Sequence, residues 1–166
     1  MVELVERFRS PVFGLAFRML GHRHDAEDVS QESFVRAIRS LRSWDSTRAF
    51  LPWLLAIVGN RCRTLLALRR RRPETMHAVE HLPDGRPEPS TQNLTEEVQL
   101  ALSLLRHEYR QAFLLFHDQQ LSYQEIAESF GKPVGTIKTW VHRGRREIVE
   151  HLRLRGVIEE SADAMQ

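Results

Sequence analysis

Apolar residues recur every three or four positions through most of the chain, which is the spacing of one face of an α-helix. In the first part of the sequence, one such pattern covers residues 5–19 and stops at Gly21, a residue type that often ends helices. A second pattern covers residues 25–41, and we predict that Asp25 is its N-cap. A third predicts a long helix over about 48–72. Three helices are therefore expected before residue 73.

A proline-rich segment follows the third helix. Four of the seven prolines lie between residues 73 and 89, among few apolar residues. Proline lacks a backbone N–H and holds the preceding residue in an extended conformation. We therefore predict an exposed, flexible linker over 73–93, which separates a unit of residues 1–72 from a second unit of residues 94–155, with a short tail at 156–166.

The second unit is predicted to contain four helices, at about 94–105, 109–118, 123–130 and 134–152. Ser122 and Glu125 form the sequence pattern of a capping box, and Gly131 is placed to end the third of these helices. Thr136 either caps the last helix or lies in its first turn. The short turn between the last two helices is typical of a helix-turn-helix, so the predicted fold class is all-α, with two small helical domains joined by the linker.

Charge is distributed unevenly along the chain. The formal net charge is only +2, yet residues 1–72 hold 14 basic against 7 acidic side chains. A second basic group lies in the predicted helix-turn-helix. A polyanion such as nucleic acid is the partner that this pattern favours, and a solvated arginine-rich surface is the alternative. The bunched basic residues of the second group are Lys132, Lys138, Arg143, Arg145 and Arg146.

Several classes of protein are disfavoured. The longest apolar run, residues 51–58, is shorter than a membrane span, and no signal-peptide pattern begins the sequence, so a cytoplasmic location is expected. Cys62 is the only cysteine, and we predict that it is a small residue of the apolar core. His77 and His81 have helical spacing but no third ligand accompanies them, and no catalytic motif is present. We therefore expect no enzyme activity, no metal and no cofactor.

Three segments together resemble the sigma-70 family of bacterial initiation factors, and in particular its extracytoplasmic-function (ECF) type. The first is Asp-Ala-Glu-Asp-Val-Ser-Gln-Glu-Ser-Phe at 25–34. The second is Phe-Leu-Pro-Trp-Leu at 50–54, followed by Ile57 and Asn60. The third combines Leu-Ser-Tyr-Gln-Glu-Ile-Ala at 121–127 with Pro-Val-Gly-Thr-Ile-Lys at 133–138. The resemblance implies region 2 in the first unit and region 4 in the second. It also implies a subunit that binds core RNA polymerase and directs promoter-specific initiation and promoter melting.

Asp28, Gln31 and Glu32 are the candidate polymerase contacts. Their i, i+3 and i+4 spacing places them on one side of the second helix. The resemblance implies that this side binds the coiled coil of the polymerase β′ subunit, with the β subunit as a further contact of the factor. The alternative is a solvated acidic first turn, because carboxylates also favour helix N-termini.

A loop before the third helix and part of that helix are the candidate surface for the promoter −10 element. The resemblance implies that the loop accepts a flipped base and that nearby arginines follow the phosphates. Trp44 either lines this base pocket or belongs to the core, whereas Phe50 and Trp53 are expected in the core. The full candidate set is Trp44, Asp45, Ser46, Arg48, Asn60, Arg61 and Arg63.

The last helix is the candidate reader of the −35 element in the major groove. Its candidate DNA contacts are Thr136, Lys138, Thr139, His142, Arg143, Arg145 and Arg146. Three positions depart from the family pattern. Trp140 stands where many members carry Arg, Gly59 stands where a basic or polar residue is usual, and His107 stands where Pro is frequent.

Two other functions compete with this interpretation. A sigma-like adaptor would titrate an anti-sigma protein without starting transcription, although such a mimic normally carries a receiver domain. A helix-turn-helix repressor would need only residues 94–152 and would leave the acidic side of the second helix unexplained. Partners expected from the resemblance are core RNA polymerase, promoter DNA and an anti-sigma factor.

Overall fold

The computed structural model describes residues 2–71 and 89–158, and every regular element in these ranges is helical. The predictions for the remaining linker residues, for His77 and His81 and for most of the tail lie outside these ranges. Three α-helices and a short 3₁₀ turn at Leu41–Ser43 precede the gap, and four α-helices follow it. The helices are α1 (Val2–Leu20), α2 (Arg23–Arg39), α3 (Phe50–Arg71), α4 (Pro89–Leu104), α5 (His107–His117), α6 (Tyr123–Phe130) and α7 (Val134–Leu154).

The all-α prediction is confirmed for the described residues, and local signals account for the best-placed boundaries. Ser122 accepts a hydrogen bond from the Glu125 N–H while the Glu125 carboxylate accepts from the Ser122 N–H, so the capping box is present. Gly131 ends α6 with a φ of 59°, a left-handed conformation that glycine adopts without strain. Thr136 lies within the first turn of α7.

Other boundaries differ from the predictions. The N-cap of α2 is His22, and Asp25 lies in the first turn of the helix, where its carboxylate pairs with His22 and with Arg69 of α3. The α4 helix begins at Pro89, within the segment predicted as linker, because proline is well tolerated in a first helical turn. The α3 helix begins at Phe50, since the Arg48 N–H bonds to the Asp45 carbonyl in a preceding turn.

The buried apolar residues of both units belong to one continuous cluster. Leu15 of α1 and Leu54, Leu55 and Cys62 of α3 are fully buried in the first unit, so Cys62 is the small core residue that was predicted. In the second unit, α5 packs against α7, and Leu115 of α5 and Val141 of α7 are buried. Helices α1 and α3 also contact α4, α5 and α6 across the boundary between the units.

Candidate functional site

The acidic side of α2 is accessible. Asp28 and Gln31 are exposed, and Glu32 is half-buried one turn further along the same side. Beside them a groove between α1 and α2 is lined by Phe13, Phe34 and Gln31, among others. The surface therefore combines polar groups at its edge with aromatic side chains in a groove, as protein interfaces commonly do.

Glu32 is already engaged within the protein. Its Oε1 accepts hydrogen bonds from Nε and Nη2 of Arg36 at 3.0 and 2.9 Å, and its Oε2 pairs with Arg61 of α3. Partial burial opposes ionisation of the carboxyl, but the two guanidinium groups outweigh it and lower the pKa of Glu32. Glu32 thus forms an ion pair between the predicted polymerase surface on α2 and the predicted DNA surface on α3. Its partner there, Arg61, is one of the candidate phosphate contacts.

The loop before α3 is ordered by Asp45. Its Oδ1 accepts hydrogen bonds from the Thr47 N–H at 3.0 Å and from the Thr47 hydroxyl at 2.6 Å. Its Oδ2 lies 3.2 Å from Nε of Arg48. The hydrogen bonds from Thr47 are the main reason why the pKa of Asp45 is lowered. A short polar turn is thereby held open to solvent, with Ser46 exposed at its tip.

Trp44 has features of both roles considered for it. Its ring meets Phe50 edge to face at a centroid distance of 5.2 Å, and Phe50 lies 5.3 Å from Phe8 and 5.4 Å from Trp53. These four rings form an aromatic cluster at the N-terminal end of α3. Within the part of the chain that the structure describes, the buried indole Nε1 of Trp44 has no hydrogen-bond partner, although such groups usually find one. Phe50 and Trp53 pack against the core, as predicted.

Asn60 lies in a different cleft from the loop. It is exposed, its Oδ1 accepts a hydrogen bond from Arg63 at 3.0 Å, and it lines a cleft with Arg36 and Arg61. The structure therefore brings Trp44, Asp45, Ser46 and Arg48 together at the start of α3, and Asn60, Arg61 and Arg63 together about three helical turns further along it.

The face of α7 that points away from the protein carries the predicted −35 contacts. Ile137, Val141 and Ile148 are buried against the other helices, which fixes the orientation of α7. Lys138 lies with its Nζ 5.8 Å from the centroid of the Tyr123 ring, and Arg143 donates a hydrogen bond to the Tyr109 hydroxyl at 3.0 Å, which raises the pKa of Arg143. Thr136 is half-buried, and the exposed candidates are Lys138, Thr139, His142, Arg143, Arg145 and Arg146.

Comparison with known proteins decides the family. Residues 4–72 match the family description Sigma-70 region 2, and residues 95–148 match Sigma-70, region 4. The ECF RNA polymerase sigma factor SigW of Bacillus subtilis is 33% identical over 91% of this chain and 88% of its own length. The chain belongs to the extracytoplasmic-function sigma factors of the sigma-70 family. Sigma factors are initiation subunits that carry no catalytic activity of their own.

Further relatives agree with this assignment. The ECF sigma factor SigE of Mycolicibacterium smegmatis is 35% identical over 90% of this sigma factor and 60% of its own length. Among solved structures, the sigma factor RpoE of Bartonella quintana, in complex with the anti-sigma factor NepR, has a TM-score of 0.73 at 21% identity, covering 92% of this chain and 96% of its own. CnrH, in complex with the cytosolic domain of CnrY, has a TM-score of 0.70 at 24% identity, covering 92% and 86%. These structures share the fold.

The structure answers one question that the sequence left open, the orientation of Trp140. Trp140 faces the protein, because its ring meets Phe130 at 5.8 Å in an edge-to-face contact. No helix within residues 2–71 and 89–158 combines the length and apolar character needed to cross a bilayer. Over the same residues, no cluster of three His, Cys, Asp or Glu side chains has the arrangement of a metal site.

Sequence reasoning missed the polar residues at the junction of the two units. Arg110 and Gln111 of α5 are only 6% and 1% exposed, although their charge and polarity favour solvent. His107, at the start of α5, is half-buried, and burial together with the nearby charge of Arg63 lowers its pKa to about 4. Apolar periodicity contains no signal for these positions, because their burial depends on contacts between distant parts of the chain.

Proposed function

We propose that this sigma factor binds core RNA polymerase through the Asp28, Gln31 and Glu32 side of α2 and directs initiation at promoters with −10 and −35 elements. The observation that carries the proposal is the coexistence of two surfaces in one chain. An accessible acidic side on α2 suits a basic protein partner, and an exposed basic face on α7 suits DNA. A repressor would need only the second of these surfaces.

Promoter recognition is assigned to two places. The turn at Trp44, Asp45 and Ser46, with Arg48 beside it, would accept a flipped base of the −10 element, while Asn60, Arg61 and Arg63 would contact the strand further along α3. The N-terminal half of α7 would enter the major groove at the −35 element. Lys138, Thr139, His142 and Arg143 are the candidate base or groove contacts, and Thr136, Arg145 and Arg146 are the candidate phosphate contacts.

An anti-sigma factor is proposed as the regulatory partner. The support is that the sigma factor RpoE of Bartonella quintana, which shares the fold, was solved in complex with the anti-sigma factor NepR, and that CnrH was solved in complex with the cytosolic domain of CnrY. Binding of this partner would cover the surfaces that the polymerase and DNA need.

The decisive experiment measures the affinity of three labelled proteins for sigma-free core polymerase. They are the parent chain, Asp28→Ala and Gln31→Ala. Each variant is expected to bind more weakly with an unchanged circular dichroism spectrum. Glu147→Ala, an exposed carboxylate on α7, is the control for loss of one negative charge and is expected to bind like the parent. Absence of core binding by the folded parent would favour the adaptor or the repressor.

A second experiment addresses the −10 surface. Trp44→Ala is expected to reduce permanganate reactivity of thymines in the opened promoter while core affinity stays unchanged. Promoter opening by Trp44→Ala at the level of the parent would remove the base-pocket assignment.

A further inference from the structure

Arg143 of α7 is held by a residue of a different helix. Its Nη1 donates a hydrogen bond to the hydroxyl of Tyr109 in α5 at 3.0 Å. Thr139, another candidate base contact, bonds within α7 instead, where its hydroxyl donates to the Gly135 carbonyl at 2.9 Å. The direction of the Arg143 side chain therefore depends on α5, which lies outside the helix-turn-helix pair formed by α6 and α7.

Tyr109 is a fixed acceptor for this hydrogen bond. The residue is only 5% exposed, and the guanidinium carbon of Arg106 lies 5.4 Å from the centroid of its ring. Tyrosine has few rotatable bonds, so a buried ring holds its hydroxyl at a defined point with little loss of conformational entropy. The Tyr109 hydroxyl is thus held in place beside α7 in the absence of DNA.

The distance between α5 and α7 at this point depends on Gly144. A Cβ atom there would lie 3.3 Å from the Tyr109 carbonyl oxygen and 3.5 Å from the Cβ of Phe113. The first distance is shorter than the contacts that Cβ atoms usually make, so a side chain at position 144 would move α7 away from α5. Gly144 is buried and directly follows Arg143. It therefore allows the approach that brings Arg143 within hydrogen-bond distance of Tyr109.

The bond to Tyr109 leaves most of the Arg143 guanidinium available to DNA. A guanidinium carries five N–H donors in a rigid fork, and the Tyr109 hydroxyl accepts only one of them. Arg143 is exposed, and it makes no other hydrogen bond or ion pair with the described residues of either unit. Its Nε and Nη2 can therefore donate together to O6 and N7 of a guanine. A side chain that is already ordered also loses less entropy on binding.

Glu147 is the competing partner for Arg143. It is exposed and lies four residues further along α7, the spacing at which opposite charges meet on a helix. Tyr109 and, to a smaller extent, Glu147 raise the pKa of Arg143. Without the Tyr109 hydroxyl, we expect the guanidinium to turn toward Glu147. That ion pair would draw its charge away from the N-terminal half of α7.

We propose that Tyr109 is a positioning residue for the reading of the −35 element. Its hydroxyl holds Arg143 ready for a bidentate contact to one guanine and keeps it from pairing with Glu147. The inference rests on the proposed function for the identity of the DNA element, whereas the contact between Tyr109 and Arg143 is a property of the free chain. Base preference at one position of the DNA thus depends on a helix outside the helix-turn-helix pair.

The test compares the full-length parent with Tyr109→Phe, Arg143→Gln and the control Tyr123→Phe. Tyr109→Phe keeps the ring beside Arg106 and removes only the hydroxyl. Tyr123→Phe removes the hydroxyl of the only other tyrosine, which forms no hydrogen bond with the described residues. Each protein, with core polymerase and without it, selects from a pool of short duplexes with a randomised centre, and the bound duplexes are sequenced.

Tyr109→Phe is expected to lose the preference for guanine at one position, the same position at which Arg143→Gln loses it. Its affinity for the duplex that the parent selects should fall about two- to tenfold, the cost of ordering one free side chain. Preferences at the other positions should match those of the parent, which a general disturbance of the helices would not allow. Glu147→Gln, added to Tyr109→Phe, is expected to restore part of the guanine preference.

An unchanged guanine preference in Tyr109→Phe would overturn the proposal, as would a uniform loss at every position or an equal effect of Tyr123→Phe. A parent that does not bind core polymerase but selects duplexes on its own would refute the proposed function, and the variants would still decide the role of Tyr109. A parent that selects no sequence with or without core polymerase would overturn both.

Discussion

Burial of His107 makes the stability of the protein decrease as the pH falls. The ring is half-buried at the start of α5, and burial, followed by the charge of Arg63, lowers its pKa from 6.5 to about 4. In the unfolded chain the ring therefore binds a proton at a pH where the folded chain does not. Stability due to this group is complete above pH 6.5 and is lost progressively as the pH falls toward 4.

The size of the effect follows from the two pKa values. Between pH 7.5 and pH 5.0, a folded pKa of about 4 and an unfolded pKa of 6.5 correspond to a loss of about 2 kcal/mol in the free energy of unfolding. Solvent reaches part of the ring and screens the charges around it, so the expected loss is between about 1 and 2 kcal/mol.

Urea unfolding of the parent and of His107→Gln at both pH values measures this loss. The other titrating groups contribute equally to both proteins, so the difference between their pH responses isolates His107. The parent is expected to lose about 1 to 2 kcal/mol more than His107→Gln on acidification. Equal pH responses would refute the argument that the neutral ring is preferred in the folded state.

Three further predictions concern stability and reactivity. Ser122→Ala removes the capping box and is expected to lower the free energy of unfolding by about 1 kcal/mol, measured by thermal unfolding. Ser103→Ala is the control, because Ser103 does not cap a helix, and it should lower the free energy of unfolding much less. Arg110→Met is expected to lower the free energy of unfolding in urea by about 2 to 4 kcal/mol, because buried carbonyls such as that of Met19 lose their donor. A decrease of less than about 1 kcal/mol would contradict this. Burial raises the pKa of Cys62 to about 12, so a thiol reagent is expected to modify it only after unfolding, and fast modification of the native protein would show that the site opens.

The sequence was sufficient where a local signal determines the structure. Helix α6 has its predicted bounds because the capping box and Gly131 act within a few residues of its ends. The prediction for Asp25 as N-cap was wrong because its carboxylate is used by a partner 44 residues away, Arg69. Local preference for an N-cap residue cannot anticipate a competing long-range ion pair.

The candidate site was predictable to the same extent. The exposed face of α7 follows from its periodicity, since burial of Ile137 and Val141 leaves Lys138 and His142 in solvent. The engagement of Glu32 with Arg61 was not predictable, because it depends on how α2 packs on α3. Burial of Arg110 was still less predictable, since it depends on a carbonyl that lies 91 residues away.

The ion pair between Glu32 and Arg61 has a thermodynamic consequence. Glu32 belongs to the side of α2 assigned to the polymerase, and Arg61 belongs to the cleft on α3 assigned to nucleic acid. A basic group of one ligand that takes over Glu32 releases the Arg61 guanidinium, whose charge then becomes available to a phosphate. By linkage, a phosphate that takes Arg61 makes Glu32 a better acceptor by the same factor. The proposed polymerase and DNA surfaces would therefore be energetically coupled: the first ligand to bind would break the ion pair between Glu32 and Arg61, and the second would bind without that cost.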